Sequence, residues 1–209
     1  MTDHPAPFFI AGSAGLDFLN SIATPADQTV DWIATGEGLV DWLQQAGFLD
    51  SDTASAIGKE ALPGEIDWVA AQARVLREWF RAFVRAHKGR PLARNVLSDL
   101  EPLNQLLSRD KEFDQVVWTP DDSPLPFRRA RLRRWTTPDT LLQPIGAALA
   151  DVVCSENFSN IKACQGSHCT LLYVDRTRRL ARRWCSMAVC GNRSKQASHR
   201  DRTIGRLAT

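Results

Sequence analysis

Four cysteines near the C-terminus stand as two matching pairs. Cys164 and Cys169 enclose four residues, Cys185 and Cys190 enclose four, and fifteen residues separate the pairs. Thiolates presented in twos from short turns are the donor set that a tetrahedral zinc ion takes, and each pair closes a small chelate loop around the metal. Four cysteines also complete the coordination shell, which points to a structural ion rather than a catalytic one. Two other readings compete. In one the four cysteines form two disulfides; in the other His168 takes the place of Cys169 beside Cys164, Cys185 and Cys190. The opening MTDHPAPFFIAGSAG has neither a basic start nor a long apolar run, so no signal peptide is expected and a cytoplasmic setting is. A reducing compartment disfavours disulfides. The fifth cysteine, Cys154, falls in an apolar helical pattern and is expected to be a buried free thiol.

The elements that must hold these cysteines are short. Ile161 to Ala163 reads as a strand leading into the first metal turn, with Gly166 allowing the bend, and Leu171 to Val174 as the returning strand. Asp175 and Thr177 suit the turn that follows, and Arg178 to Trp184 has the length for the start of a helix. After Cys190, Gly191 lets the backbone pass closely behind the metal with its amides aimed at sulfur. Asn192 then caps a helix of roughly Arg193 to Arg202. So short a module has little to bury, so its stability is expected to come mainly from the metal. Loss of any one ligand is expected to unfold residues 160 to 209 and spare the rest.

Upstream, the apolar period is mostly helical. Leu16, Phe18, Leu19 and Ile22 open a first helix, with Asn20 a polar residue of open role beside its apolar face. Glu37 to Ala46 and Ile66 to His87 are further helices; the latter has Trp68 among its apolar positions and Arg74, Arg77, Arg81 and Arg85 as a solvated stripe on another face. Ala93 to Leu107 continues the pattern, with Pro102 marking a kink or a restart. Phe113 to Trp118 and Phe127 to Trp135 read as a β-hairpin. Its second strand crowds Arg128, Arg129, Arg131, Arg133 and Arg134, which flank a nucleic-acid surface, pair with acids such as Asp121 and Asp122, or guard an edge strand. A last helix runs from about Pro138 to Val153. The fold class is therefore mainly α: a multi-helical N-terminal domain with a β-hairpin over residues 1–157, then a small zinc-ribbon or treble-clef-like module over residues 160–206. Trp32, Trp42, Trp68 and Trp79 are core residues or the lining of an N-terminal pocket.

Charge divides the chain in the same place. Residues 160 to 209 hold eleven Lys and Arg against two Asp, a balance of +9, and the remaining fifteen basic and twenty-two acidic residues give −7, which together make the overall +2. A zinc held by four thiolates contributes about −2, so the loaded tail stays near +7. A basic module of that density points to phosphates, and most simply to DNA; the competing reading is a basic face docked on the acidic domain. Arg178, Arg179, Arg182 and Arg183 suit phosphate contacts, whereas Arg193, Gln196 and Arg200 share a helix face and suit guanine and adenine edges. Asn192 and Lys195 lie on the same segment.

The run WCSMAVCGNRSK, Trp184 to Lys195, resembles the signature of the CGNR zinc finger family, and CQGSHCTLLYVDRTRR is similar to the first half of that finger. The runs GLDFLNSIA and GEGLVDWLQQAGFL resemble the opening of the alanine-rich ABATE domain that accompanies it, and Tyr173 occupies the finger's usual aromatic position. The resemblance implies a zinc site and a DNA-binding role in a bacterial transcription regulator. Its N-terminal domain would sense a small-molecule effector or form homodimers. A zinc-stabilised protein-interaction module is the alternative. No run of about 18 apolar residues is present, so no membrane partner is expected. No Ser-His-Asp pattern, phosphate loop or dinucleotide fingerprint occurs, so no enzyme is expected.

Overall fold

The computed structural model of the chain describes residues 5–24, 28–119 and 124–196. Arg200 therefore lies outside the described residues, with His199, Arg202, Asp121 and Asp122. Six α-helices, two 3-10 segments that extend them and three two-stranded antiparallel sheets make up most of the rest.

Helix α1 (Ala14–Leu19) is the centre of the packing, because Leu16, Phe18 and Leu19 are all fully buried. It lies so close to α6 (Leu142–Ser155) that a Cβ on Gly15 would stand 2.4 Å from the Ala148 carbonyl oxygen. Only glycine fits at that crossing. A two-residue bridge, β1 (Ile22–Ala23) with β2 (Val30–Asp31), follows α1 and takes Ile22 out of the expected helix. Next come α2 (Gly36–Gln45), capped by the Thr35 hydroxyl, and α3 (Ser51–Glu60), capped by the Asp50 carboxylate.

Helix α4 (Glu65–His87) is the longest, and it corrects the expected solvated arginine stripe. Arg77 and Arg81 are only 2% and 5% exposed. Arg77 forks onto the Asp31 carboxylate at 2.7 and 2.8 Å, and Arg81 donates to the Leu19 carbonyl. Arg74 donates to the carbonyls of Ile33 and Ala34. A guanidinium has five donors, so it can enter a core where carbonyls and a carboxylate receive them. Arg85 alone of the four is exposed. Trp68 is the converse correction: it is 66% exposed, while Val69, Ala70 and Ala73 make the buried face.

A 3-10 segment (Arg94–Leu100) runs into α5 (Glu101–Leu107), so Pro102 marks a restart in the first turn, where its missing N–H breaks no helical bond. Strands β3 (Glu112–Trp118) and β4 (Phe127–Arg133) form the hairpin. Arg129, Arg131 and Arg133 pair with Asp110, Glu112 and Asp114 at its base and on its first strand. Helix α6 follows, and Cys154 near its end is exposed, not buried, because Leu149 and Val152 make its inward face. Of the four tryptophans, Trp42 lines a pocket of about 420 Å³ together with Phe9, Gly12, Ser13, Asp17 and Gln45. No described helix is long and apolar enough to cross a membrane.

Candidate metal centre and nucleic-acid interface

The cysteine-bearing segment is built on the smallest of the sheets. Strand β5 (Ile161–Ala163) pairs with β6 (Leu172–Val174), and every residue of β6 is buried. The free edge of β6 is sealed by the N-terminal part of the chain. The Asn20 side chain donates to the Leu172 carbonyl at 2.8 Å and accepts from the Leu172 amide at 3.0 Å, and the Val174 amide donates to the Ala11 carbonyl at 2.8 Å. Leu172, Tyr173 and Val174 belong to one continuous core with Phe18 and Leu19. The open role of Asn20 is thereby answered: it acts as a side-chain strand partner across the chain.

Asp175 ties the far end. Its buried carboxylate accepts from Lys162 Nζ at 2.7 Å, from the Thr177 amide and hydroxyl at 3.0 and 2.6 Å, and from the Arg182 amide at 2.9 Å. Burial pushes this carboxyl up, and the Lys162, Thr177 and Arg182 donors outweigh it and hold the group well below the usual carboxylate range. Residues 176–184 are turn and coil rather than the expected helix start. Leu180 adopts a left-handed φ of 46°, and the Lys162 ammonium also donates to its carbonyl. The turn around Asp175 takes the hydrogen bonds that a helix would have needed.

The two cysteine pairs reach one point by different local geometries. Cys164 follows β5, its amide donates to the Leu171 carbonyl, and a turn closes from the Cys169 amide to Gly166. A Cβ on Gly166 would lie 3.1 Å from the Cys190 sulfur and 3.2 Å from the Cys169 Cβ, so a side chain here would press on the cysteine cluster. In the second pair Cys190 sits in a π-helical turn (Met187–Gly191) and Cys185 just before it, with the Gly191 amide donating to the Ser186 carbonyl at 3.0 Å. The chain is α-helical from 192 to 196, so the helical run starts before Asn192. Asn192 therefore does not cap it; its side chain donates to the Ala188 carbonyl. The amides that reach sulfur are those of Gly166 and Cys185, both donating to Cys164, and not that of Gly191.

All four sulfurs lie within 4.8 Å of one another, with 3.7 Å from Cys169 to Cys185 and 3.6 Å from Cys185 to Cys190. Zinc–sulfur bonds of about 2.3 Å in a tetrahedron require sulfurs about 3.8 Å apart, so the donor set fits the ion. A disulfide needs about 2.05 Å, and all five cysteines are free. Without a cation the thiols oppose each other's ionisation. Hydrogen bonding from Cys169 and Cys185 pulls the Cys164 thiol down, while the Cys164 neighbour pushes Cys169 and Cys185 up and burial raises Cys190. Only a bound cation lets four thiolates share this volume. His168 is not part of the group found among the described residues.

Residues 12–156 match the ABATE family, described as "Putative stress-induced transcription regulator", and residues 160–203 match the CGNR zinc finger. The chain belongs to the ABATE family. No curated relative matches it. The first matched segment ends at Glu156 and the second begins at Asn160, and they are seamed by Asn20 and by Arg176, which reaches both the Gly12 carbonyl and Glu156.

On the surface of the CGNR finger, Arg178, Arg179, Arg183, Asn192, Arg193, Lys195 and Gln196 are exposed. Arg183 also binds Gln165 at 2.7 Å and lies over the Trp184 ring. Arg182 is placed differently. Its guanidinium donates inward to the carbonyls of Trp184 and Cys185 and stacks 4.2 Å from the Tyr173 ring, whose hydroxyl donates to the Arg182 carbonyl. Position 182 thus looks like its neighbours in sequence, yet its side chain is half-buried and bonded to the fold. Asp175 was legible only as a turn former; its depth, and its grip on Lys162 and Arg182, depend on contacts that no local pattern carries.

Proposed function

We propose that this ABATE-family protein is a bacterial transcription regulator that binds DNA through a structural zinc module, and that it has no enzymatic activity. The observation that carries the reading is the four-sulfur cluster, a complete set of thiol donors, in a segment whose other side chains include many exposed cations. Cys164, Cys169, Cys185 and Cys190 would hold zinc, which supplies cross-linking of β5, β6 and the π turn and no open coordination position for a substrate. Arg178, Arg179 and Arg183 hold phosphates, and Arg193 and Gln196 on one face of the 192–196 helix read the groove, with Arg200 continuing their spacing and Lys195 on the same segment. Arg182 serves the fold instead. The protein acts in the cytoplasm, where reduced thiols remain available to the metal. Residues 1–157 carry regulation and residues 160–206 carry contact with DNA.

The test is selection from a random duplex pool by zinc-loaded protein at physiological salt, beside a metal-stripped control. One enriched motif, lost without zinc and weakened by Arg193→Ala with Gln196→Ala, is the expected result. Binding should also fall steeply with salt, by roughly one unit of log–log slope for each phosphate contact. No DNA binding by folded, zinc-loaded protein would overturn the reading in favour of a protein-interaction module.

A further inference from the structure

The β3–β4 hairpin pairs with no other strand among the described residues, and its two faces differ. Residues directly opposite in an antiparallel pair point to one side, and successive rungs alternate. One side carries Phe113 with Leu132, Gln115 with Ala130, and Val117 with Arg128; it holds the buried Ala130 and the half-buried Phe113 and Val117. The other side carries Glu112 with Arg133, Asp114 with Arg131, Val116 with Arg129, and Trp118 with Phe127. Towards the tip of this outer face Val116, Trp118 and Phe127 are 70%, 64% and 59% exposed, and the two rings meet edge to face at 5.5 Å. Three large apolar side chains held together in water mark a contact surface.

The charges on this face say what covers it. Every acid, Glu112 and Asp114, is on β3, and every base, Arg129, Arg131 and Arg133, is on β4. The pairs of Arg131 with Asp114 and of Arg129 with Asp114 are loose, at 3.5 and 3.7 Å, and more than half of each arginine side chain faces solvent. A polyanion such as nucleic acid would meet the acidic strand. A second copy of the same face meets its complement. If two hairpins stack outer face to outer face about a two-fold axis parallel to the strands, β3 of each copy lies over β4 of the other. Each rung then meets the same rung: Asp114 faces the partner copy's arginine at the Asp114–Arg131 rung, and the Trp118–Phe127 rungs cover each other. A two-fold axis across the strands would instead lay β3 over β3, where Glu112 and Asp114 meet no base on this face, so the charge pattern selects the first arrangement.

We propose that the outer face of this hairpin is a self-complementary homodimer interface. A specific interface buries on the order of 800 Å² per partner. The apolar tip is smaller than that, so the charged rungs must be included, which is the reason their pattern decides the geometry. The proposal does not depend on DNA binding.

The test uses the full, zinc-loaded chain in sedimentation velocity over a concentration series reaching ~100 µM, where complexes of micromolar Kd are populated. Wild-type protein is expected to dimerise, and Trp118→Glu to weaken the dimer by at least ~tenfold. Asp114→Arg and Arg131→Asp, each made alone, place like charges opposite one another twice per dimer and should leave monomers. Mixing the two variants sets the two introduced charges against each other in one contact and leaves the wild-type Arg131 against Asp114 in the other, so both contacts are opposite in sign and a heterodimer should be restored. Circular dichroism confirms that each variant is folded. A wild-type monomer at ~100 µM, a dimer that survives the single charge reversals, or a mixture that stays monomeric would each overturn the proposal.

Discussion

The protein contains two hairpins that resemble each other only in strand number. Strands β5 and β6 have three residues each, yet all of β6 is buried and both of its edges are occupied. Strands β3 and β4 have seven residues each, and among these fourteen only Ala130 is buried. Isolated two-stranded hairpins are marginal in water whatever their length. The short one is secured by groups distant in sequence: Asn20 and Ala11 on one edge, and four sulfurs at its end. The long one rests on its own cross-strand pairs and ion pairs. Integration thus follows from who satisfies the strand's polar groups, not from how many rungs it has.

The largest way to break this comparison is to remove the metal ligands. Structural zinc contributes an apparent ~10–16 kcal/mol in small fingers, as much as the whole stability of a typical domain. Chelation, or Cys185→Ser, should therefore melt residues 160–196. Because β6 shares its core with Phe18 and Leu19, the loss should reach α1, and the earlier expectation of an unaffected N-terminal part gives way. Hydrogen exchange is the measurement: amides of 16–20 should lose protection together with those of 161–174, while β3–β4 keeps its rates. Unchanged protection in α1 would mean that the two matched segments fold separately.

The seam itself is tested by Asn20→Ala. This side chain is 1% exposed and satisfies both the amide and the carbonyl of Leu172. Truncation leaves two buried polar groups without partners, at about 1–3 kcal/mol each, so a loss of roughly 2–4 kcal/mol in urea unfolding is expected. A loss below ~1 kcal/mol would show that water replaces the amide.

A smaller effect comes from Asp17, which holds the same seam by accepting from the Ala11 amide at 2.9 Å. Burial raises its carboxyl to about 6, against partial opposition from the Ala11 and Ile10 amides. The folded state therefore binds this proton more tightly than the unfolded chain, and stability falls as pH rises from about 4 through 6. Between pH 5 and pH 7 the wild type should lose about 1 kcal/mol relative to Asp17→Asn, which keeps an acceptor oxygen for Ala11 and cannot ionise. The subtraction removes the acid lability shared by the thiolates. Parallel curves for the two proteins would mean that Asp17 is ionised throughout.

What was legible in the sequence divides along the same line as the two hairpins. Cys164, Cys169, Cys185 and Cys190 announce themselves by spacing, and β5, β6 and the long helix by local period. The π turn was not legible, since Cys164 and Cys169 have the same five-residue spacing and form an ordinary turn. Arg77, Arg81 and Arg182 were misread because a guanidinium at helical or clustered spacing looks solvated until its acceptors are known. Those acceptors, Asp31, the Leu19 carbonyl and the Cys185 carbonyl, are set by tertiary contacts or by an irregular turn. Asn20 was visible as one polar residue in an apolar run, but its partner is 152 positions away. Periodicity reports which side of an element is buried, and it says nothing about which distant backbone group needs a hydrogen bond.

The smallest expected effect sharpens the comparison from the other hairpin. Trp118→Ser removes the largest side chain of the β3–β4 tip, yet that side chain has mostly water around it and one ring neighbour, Phe127. A half-exposed edge-to-face contact contributes at most about 0.5–1 kcal/mol, and surface changes generally fall within ~0.5 kcal/mol. At protein concentrations of ~1 µM or below, where a weak dimer has dissociated, urea unfolding should therefore shift by less than ~1 kcal/mol. If the loss exceeds ~2 kcal/mol under those conditions, the tip is packed against its own chain and the outer face is not free to meet a second copy. If the small loss grows with wild-type concentration, the extra stability belongs to association, because only a group buried between copies stabilises in proportion to how many copies are present.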